Sequence, residues 1–299
     1  MSTATISQGA LPSTPSRLSD LVGLTKPRLS GLVIFTGGGS LLLAPQNVSV
    51  GHALASVAGL VGVVAAANTL NNYLEQETDA LMARTASRPL PTHRMAPSVA
   101  LAQGLVLTAL SVPLLTFGAN PLTGLLGAIA LVIYAFIYTP MKRQTALATL
   151  VGAIPGAMPP LMGWTAASGR LEAGGLLLFA LLFLWQIPHF LAIGLYRAAE
   201  YQAAGMVIHA NSLGPVATRR RIAAWTVLLV AATGLLVPLG VGGWLTGAGA
   251  ALLGLGFLAR ALAGLRPGAD DVWARSLFRY SLVYLTGLFG VLAVDHLLG

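Results

Sequence analysis

Apolar residues in this chain gather into long runs that contain few or no charges, and short polar segments separate these runs. Each run is about 17–25 residues long, which is the length that a helix needs to cross the hydrocarbon of a bilayer. Several runs contain Pro and Gly, which membrane helices tolerate because neighbouring helices satisfy the freed backbone groups. The pattern predicts nine transmembrane helices, at about 29–45, 52–74, 97–117, 120–139, 146–165, 173–196, 222–240, 243–263 and 276–298.

The composition excludes a water-soluble domain. Of 299 residues, 56% are hydrophobic and only 9% are charged, which is too little polar surface to cover a soluble globule. Residues 1–27 are rich in Ser, Thr and Pro and lack the apolar core of a signal peptide. We therefore expect a polar cytoplasmic tail over 1–27 and a single transmembrane domain over 28–299. The chain has no cysteine, which excludes disulfides, thiolate metal sites and a thiol nucleophile.

The distribution of charge predicts the orientation. If nine spans alternate, sixteen of the seventeen Lys and Arg residues lie on one side of the membrane and only Arg170 lies on the other. The positive-inside rule makes the basic side cytoplasmic, together with the N-terminus. The net charge of +8 then reflects orientation and does not indicate a nucleic-acid partner. Because Arg17 is the only arginine in the tail, the composition does not match a mitochondrial presequence, and a bacterial inner membrane is favoured.

A column of polar side chains ends the second predicted span. Asn71, Glu75 and Asp79 are spaced i, i+4, i+8, which places them on one helix face. Oxygen ligands in this arrangement suit Mg²⁺, and Arg84 and Arg88 follow where they could bind phosphate. The alternative is that these are ordinary polar residues where a membrane helix leaves the bilayer.

A second polar cluster lies at the end of the sixth predicted span. Gln186 and His189 sit inside an apolar run, where polar groups are costly and tend to face a cavity. A lone histidine there is more often a hydrogen-bonded packing residue than a ligand. Arg197 and Glu200 alone would be a solvated loop pair, but they share a membrane side with the first cluster. Function is therefore expected on the cytoplasmic side.

Basic and aromatic residues also flank two other predicted spans. Lys26 and Arg28 open the first span, where they could serve only as positive-inside anchors. Tyr138, Lys142 and Arg143 close the fourth span, where an interfacial aromatic belt is the plainer interpretation. The remaining histidines lack any metal-ligand spacing. There is no P-loop and no Gly-rich dinucleotide turn.

With these motifs in order, the chain from about Leu24 onward resembles the intramembrane aromatic prenyltransferase (UbiA-type) superfamily. The motifs that carry the resemblance are Leu24–Arg28, the run Asn71, Glu75 and Asp79, Arg84–Leu90, Tyr138–Pro140, Gly156–Trp164 and Trp185–Phe190. Trp185–Phe190 and Tyr201–Ala204 are similar to the branch that farnesylates haem. Two positions depart from that branch: Glu200 replaces its usual Asp, and His93 stands where Gly is common.

The resemblance implies an all-α bundle of about nine transmembrane helices around a central cavity that opens to the cytoplasmic side. It implies transfer of farnesyl from farnesyl diphosphate to a vinyl group of haem b with addition of water, which gives haem O. Mg²⁺ on Asn71, Glu75 and Asp79, with Arg84 and Arg88, would stabilise the leaving diphosphate. The implied substrate-binding residues are Asn68, Lys26, Arg28, Tyr138, Lys142, Arg143, Trp185, His189, Arg197, Glu200 and Tyr201.

Other functions are compatible with parts of this pattern. A related enzyme could prenylate a quinone precursor or a chlorophyll-like ring, although the histidine motif at His189 argues against it. A transporter could use Glu75, Asp79 and His189 as an ion relay, but such charges usually lie near the bilayer midplane. If haem O is the product, a haem A synthase or a terminal oxidase assembly is the partner that would use it.

Overall fold

The computed structural model describes residues 16–299, apart from the side chains of Arg28 and Leu29, and this part of the chain is helical with connecting turns. A π-helix over Ile133–Tyr138 joins the fifth and sixth helices. The α-helices are α1 Arg17–Leu24, α2 Pro27–Leu43, α3 Val50–Ala80, α4 Pro97–Gly118, α5 Pro121–Val132, α6 Thr139–Met141, α7 Ala148–Ser168, α8 Ala173–Tyr196, α9 Ala198–Ala203, α10 His209–Thr233, α11 Trp244–Ala263 and α12 Asp271–Leu298.

The predicted count of nine membrane spans is not confirmed, although a helix occupies each predicted range. Within residues 16–299, six helices are long and apolar enough to cross a membrane: α3, α4, the continuous segment Pro121–Met141, α8, α11 and α12. The apolar part of α2, Ser30–Leu43, is shorter. Prolines and glycines lower the mean hydropathy of α7, and α10 begins with a polar half that includes Arg219–Arg221.

The first helix packs against the domain that follows it. Ser16 caps α1, and Leu24 at its end is 1% exposed and packs with Leu90 and Met95. The carboxylate of Asp20 forms an ion pair with Arg94 at 3.0 Å. The predicted polar tail over 1–27 therefore contains a folded helix, while its first fifteen residues lie outside the described part of the chain.

The bundle consists of two groups of helices with a cavity between them. One group joins α2, α3, α4, α5 and α7 around a small apolar cluster that includes Leu60, Leu115 and Met162. The other joins α8, α10, α11 and α12 around a larger cluster that includes Phe257 and Tyr284. Contacts of α7 with α8, and of α2 with α12, connect the groups.

The crossing of α2 and α7 depends on two glycines that face each other. A Cβ atom built on Gly163 would overlap the backbone carbonyl of Gly37, so the two backbones touch without an intervening side chain. Small residues allow this close approach in membrane helix pairs.

Gly163→Ala is therefore expected to destabilise the fold by ~1–3 kcal/mol, the usual cost of overpacking. The measurement is the unfolding midpoint of the purified protein in detergent. Gly290→Ala is the matched control, because a Cβ on this helical glycine meets nothing within 4 Å. Equal midpoints for the two variants would contradict the close crossing.

Two backbone features shape the polar end of the bundle. The π-helix places the rings of Tyr134 and Tyr138 5.3 Å apart, and π-helical turns are frequent at functional sites. In the turn after α3, His93 has a φ of 57°, a left-handed conformation that glycine adopts without steric cost. This conformation explains why glycine suits the position that His93 occupies.

Candidate active site

A cavity of about 710 Å³ lies between the two groups of helices. Its deeper walls are mostly apolar and come mainly from α2, α3, α7, α8 and α12. Its other end is polar, and we call that end the mouth. The mouth is formed by the C-terminal part of α3, the start of α2, the end of α6 and the loops that follow α3 and α8.

The predicted site residues divide into those that line the cavity and those that do not. Glu200 and Arg143 lie outside the lining, and the side chain of Arg28 lies outside the described part of the chain. The predicted residues that line the cavity are Lys26, Asn68, Asn71, Glu75, Asp79, Arg84, Arg88, Tyr138, Lys142, Trp185, His189, Arg197 and Tyr201.

Asn71, Glu75 and Asp79 form a buried column on α3. Their exposed fractions are 1%, 8% and 1%, although all three reach the cavity. The carboxamide of Asn71 also donates from Nδ2 to the hydroxyl of Thr139 at 3.1 Å. This hydrogen bond leaves Asn71 Oδ1 directed toward Lys26. The i, i+4, i+8 spacing thus produces one aligned set of oxygen atoms.

Each member of the column accepts a hydrogen bond from a different cation. Lys26 Nζ lies 2.6 Å from Asn71 Oδ1, and Lys142 Nζ lies 2.7 Å from Glu75 Oε1. Arg88 Nη1 lies 2.5 Å from Asp79 Oδ2. Because three cations face two carboxylates here, the mouth favours an anionic ligand.

Lys26 reaches the column from an unusual backbone conformation. Its φ of 52° is left-handed, and such conformations persist where the surrounding structure holds them, often at functional sites. Burial and the positive charge of Arg88 lower the pKa of Lys26 to about 7, while Glu75 opposes the shift. A ligand with negative charge in the mouth would favour the protonated amine.

Lys142 lies between a carboxylate and an aromatic ring. Its Nζ is 4.4 Å from the ring centroid of Tyr138 and forms the ion pair with Glu75. Burial alone would lower the pKa of Lys142, but Tyr138 and Glu75 outweigh it and raise this pKa strongly. The amine is therefore a permanent positive charge at the mouth.

Glu200 connects two segments of the chain by hydrogen bonds. Its carboxylate accepts from Arg197 Nη1 at 2.6 Å and from the backbone N–H of Arg84 at 3.4 Å. Although burial opposes the shift, these hydrogen bonds lower the pKa of Glu200. Val207 extends the connection by donating its backbone N–H to the carbonyl of Lys142 at 2.9 Å. The loops after α3 and α6, and the segment from Arg197 through α9 to Val207, therefore form one hydrogen-bonded layer at the mouth.

Arg143 turns away from the cavity lining. It donates to the hydroxyl of Thr78, a buried side chain of α3 that does not line the cavity. Arg143 therefore contributes no charge to the cavity lining.

Trp185 and His189 form an aromatic wall deeper in the cavity. Their rings stack with centroids 4.6 Å apart, and both are held by Ser281 of α12. Trp185 Nε1 donates to the Ser281 carbonyl at 2.6 Å, and His189 Nδ1 lies 2.7 Å from the Ser281 hydroxyl. Sequence patterns missed Ser281, because a serine in an apolar run carries no motif.

The donor set of the column fits a divalent cation with open positions. Within residues 16–299, no group of three His, Cys, Asp or Glu side chains could hold a metal. Two carboxylates and one carboxamide remain, and Mg²⁺ binds such oxygen atoms together with water and substrate phosphate. The site thus suits a metal that arrives with a phosphate ligand.

Known sequences similar to this chain are prenyltransferases. The sequence profile of the UbiA prenyltransferase family matches residues 32–283. The protoheme IX farnesyltransferase of Myxococcus xanthus is 47% identical over 284 residues, covering 95% of this chain and 97% of that protein. The protoheme IX farnesyltransferase of an Anaeromyxobacter species is 50% identical over 290 residues, covering 97% of each chain.

Solved structures share the fold. A UbiA homolog from Archaeoglobus fulgidus, bound to GPP and Mg²⁺, superposes with a TM-score of 0.68 at 13% identity. The superposition covers 92% of this chain and 99% of that one.

Proposed function

The chain belongs to the UbiA prenyltransferase family, and from this premise we propose that it transfers farnesyl from farnesyl diphosphate to a vinyl group of haem b. The observation that carries the proposal is the cavity, in which a cationic mouth opens into an apolar chamber. A prenyl diphosphate has the same division between an anionic head and an apolar chain.

The mouth suits the diphosphate group. Lys26, Arg88 and Lys142 already donate to the acidic column, and Arg84 and Arg197 line the same end. Breaking the allylic C–O bond places negative charge on the leaving diphosphate. Fixed positive groups where charge develops commonly supply the largest catalytic contribution.

Asn71, Glu75 and Asp79 would hold Mg²⁺. The binding of GPP and Mg²⁺ by the Archaeoglobus homolog supports this assignment. The ion would neutralise charge on the departing diphosphate. Lys26, Arg88 and Lys142 now occupy the oxygen atoms of the column, so metal binding would leave these cations available to phosphate oxygens.

The chamber suits the prenyl chain and the cation formed from it. Apolar side chains such as Leu60, Val63 and Met158 line its depth. The face of the Tyr138 ring already attracts the Lys142 amine, so it can also stabilise an allylic cation. Trp185 offers a second aromatic surface in the lining of the cavity.

Haem b is proposed as the acceptor because both similar farnesyltransferases are named for protoheme IX. The vinyl group would attack C1 of the farnesyl cation, forming a C–C bond. Water would then add to the cation left on the porphyrin side chain and lose a proton. No protein nucleophile is required, which agrees with the absence of cysteine.

The mouth is proposed to face the cytoplasm of a bacterial cell, with the protein in the inner membrane. Arg84, Arg88, Lys142 and Arg197 gather at the end of the bundle where the cavity opens. The positive-inside rule assigns such an end to the cytoplasm. A haem A synthase or terminal oxidase assembly as the next partner stays a prediction from the resemblance.

The test is mass spectrometry of haem extracted after incubating the purified protein with haem b and farnesyl diphosphate. With Mg²⁺ we expect a product heavier than haem b by one farnesyl group plus one water, and with a chelator we expect unchanged haem. Unchanged haem from folded protein in Mg²⁺ would overturn the haem assignment, and quinone-type acceptors would be assayed next. Product at full rate in the chelator would overturn the metal assignment.

A further inference from the structure

His189 is held rigidly at the cavity wall. Its ring stacks on Trp185, and it lies 4.8 Å from the ring of Phe278 and 5.3 Å from that of Phe190, centroid to centroid. The residue is 8% exposed and lines the cavity. Aromatic contacts on several sides leave the ring little freedom to turn.

Ser281 determines which ring nitrogen carries the proton. The Ser281 hydroxyl lies 2.6 Å from the backbone carbonyl of Phe278 and 2.7 Å from His189 Nδ1. A carbonyl oxygen can only accept, so the single hydroxyl proton must point at Phe278. His189 Nδ1 must then donate to the hydroxyl oxygen. In the neutral ring, Nε2 therefore carries the lone pair.

The lone pair on Nε2 faces open space in the cavity. Among the described residues, none forms a hydrogen bond to His189 Nε2. The buried side-chain atoms without a partner in residues 16–299 are Gln46 Oε1, Gln103 Oε1 and His209 Nδ1, so His189 Nε2 is not sealed in the protein. A histidine that served only packing would not need an unsatisfied nitrogen at the cavity.

We propose that His189 Nε2 is an axial ligand to the iron of the haem acceptor and that Ser281 is the positioning residue that presents it. This inference rests on the proposed function, since it specifies how that acceptor is bound. Metal-ligating histidines almost always donate their other ring N–H to an oxygen, as His189 does to Ser281. Neutral imidazole is also a common ligand for haem iron.

The end of the same helix suits the carboxylates of a porphyrin. Tyr196 lies two turns beyond His189 on α8, about 10 Å along the helix axis. Its ring contacts two guanidinium groups, with Cζ of Arg275 at 4.6 Å and Cζ of Arg197 at 5.7 Å from the centroid. A metalloporphyrin whose iron binds His189 would extend its acidic edge toward this end of α8, where Arg197 lines the cavity.

His209 is the rival ligand. It also lines the cavity, is 5% exposed and has a buried Nδ1 without a partner. However, none of the described residues hydrogen-bonds its ring in the way that Ser281 orients His189. The experiment must therefore separate the two histidines.

The test is a titration of ferric haem b into the purified full-length protein, followed by absorption and electron paramagnetic resonance spectra. The histidine-ligated signature is expected in the wild type and in His209→Gln, and its loss is expected in His189→Gln. Ser281→Ala is expected to weaken haem affinity by about tenfold to a hundredfold, the usual effect of removing the hydrogen-bond partner of a metal-ligating histidine. Ser281→Thr keeps the hydroxyl and is expected to restore the affinity.

An unchanged spectrum in His189→Gln, or a loss in His209→Gln instead, overturns the inference. Should His189→Gln not fold, Ser281→Ala decides, because it removes one oxygen atom only and unchanged affinity contradicts the proposal. Product analysis of the wild type keeps the two proposals apart. Farnesylated haem together with an unchanged His189→Gln spectrum rejects the iron ligand alone, whereas a lost signature without farnesylated haem rejects the proposed transfer alone.

Discussion

Asp79→Asn is expected to lower turnover by ~10²–10³-fold or more, the range seen when one preorganised charge-stabilising group is removed. Asp79 is 1% exposed, lines the cavity and belongs to the proposed Mg²⁺ set. The fold should survive, because the amide oxygen of Asn can still accept from Arg88, which also donates to Asn72. The measurements are product formation at several Mg²⁺ concentrations and the unfolding midpoint.

Glu77→Gln is the matched control for this experiment. Glu77 lies on the same helix, two residues from Asp79, but it is exposed and does not line the cavity. We expect its activity to equal that of the wild type. Full activity of folded Asp79→Asn, or equal losses in both variants, would contradict the role of the column.

Lys142→Gln is expected to lower kcat/KM by on the order of 10²-fold, because a fixed positive charge at the mouth is lost. The KM for farnesyl diphosphate should rise more than the KM for haem, since the Lys142 amine lies beside Glu75 at the polar end. Stability should also fall, because the substitution breaks a buried ion pair and removes the cation that donates to Glu75. Steady-state kinetics with each substrate varied in turn measures the difference.

Arg143→Gln provides the contrast to Lys142→Gln. The two residues are adjacent in sequence, but only Lys142 lines the cavity, while Arg143 donates to Thr78. A clearly smaller kinetic loss is expected from Arg143→Gln. Equal losses, or an effect of Lys142→Gln limited to haem, would contradict placement of the diphosphate at Lys142.

Local periodicity predicted the column well. The spacing of Asn71, Glu75 and Asp79 determines their alignment wherever α3 is helical, so sequence alone was sufficient. The sequence alone does not predict which residues contact the column. Lys26 and Lys142 come from distant segments, and their pairing with Asn71 and Glu75 depends on how the helices pack.

Tertiary packing also decides contacts that sequence patterns do not show. Lys142 donates to Glu75, whereas the adjacent Arg143 donates to Thr78. Glu200 accepts from Arg197 and from the backbone of Arg84, and its substrate-binding role stays a prediction. Ser281 has no distinguishing neighbours in the chain and gains its importance only through contact with His189.

Membrane spans were predicted better in position than in number. Each predicted apolar run contains a helix, because in the bilayer a helix satisfies the backbone N–H and C=O groups within the segment itself. Length and composition identify six of the described helices as candidate spans. α7 contains Pro155, Pro159 and Pro160, which lower its mean hydropathy. Contacts with neighbouring helices compensate for the backbone hydrogen bonds that these prolines remove.

The hydrogen-bonded layer at the mouth limits how this enzyme can be re-engineered. Arg84 bonds to Glu200, and Val207 bonds to Lys142, so three loops that are far apart in sequence share one set of contacts. A single loop transplanted from a relative would lose its partners in the other two. Chimeras should therefore exchange the segments 81–96, 142–147 and 197–208 together, so that the hydrogen bonds between them are kept.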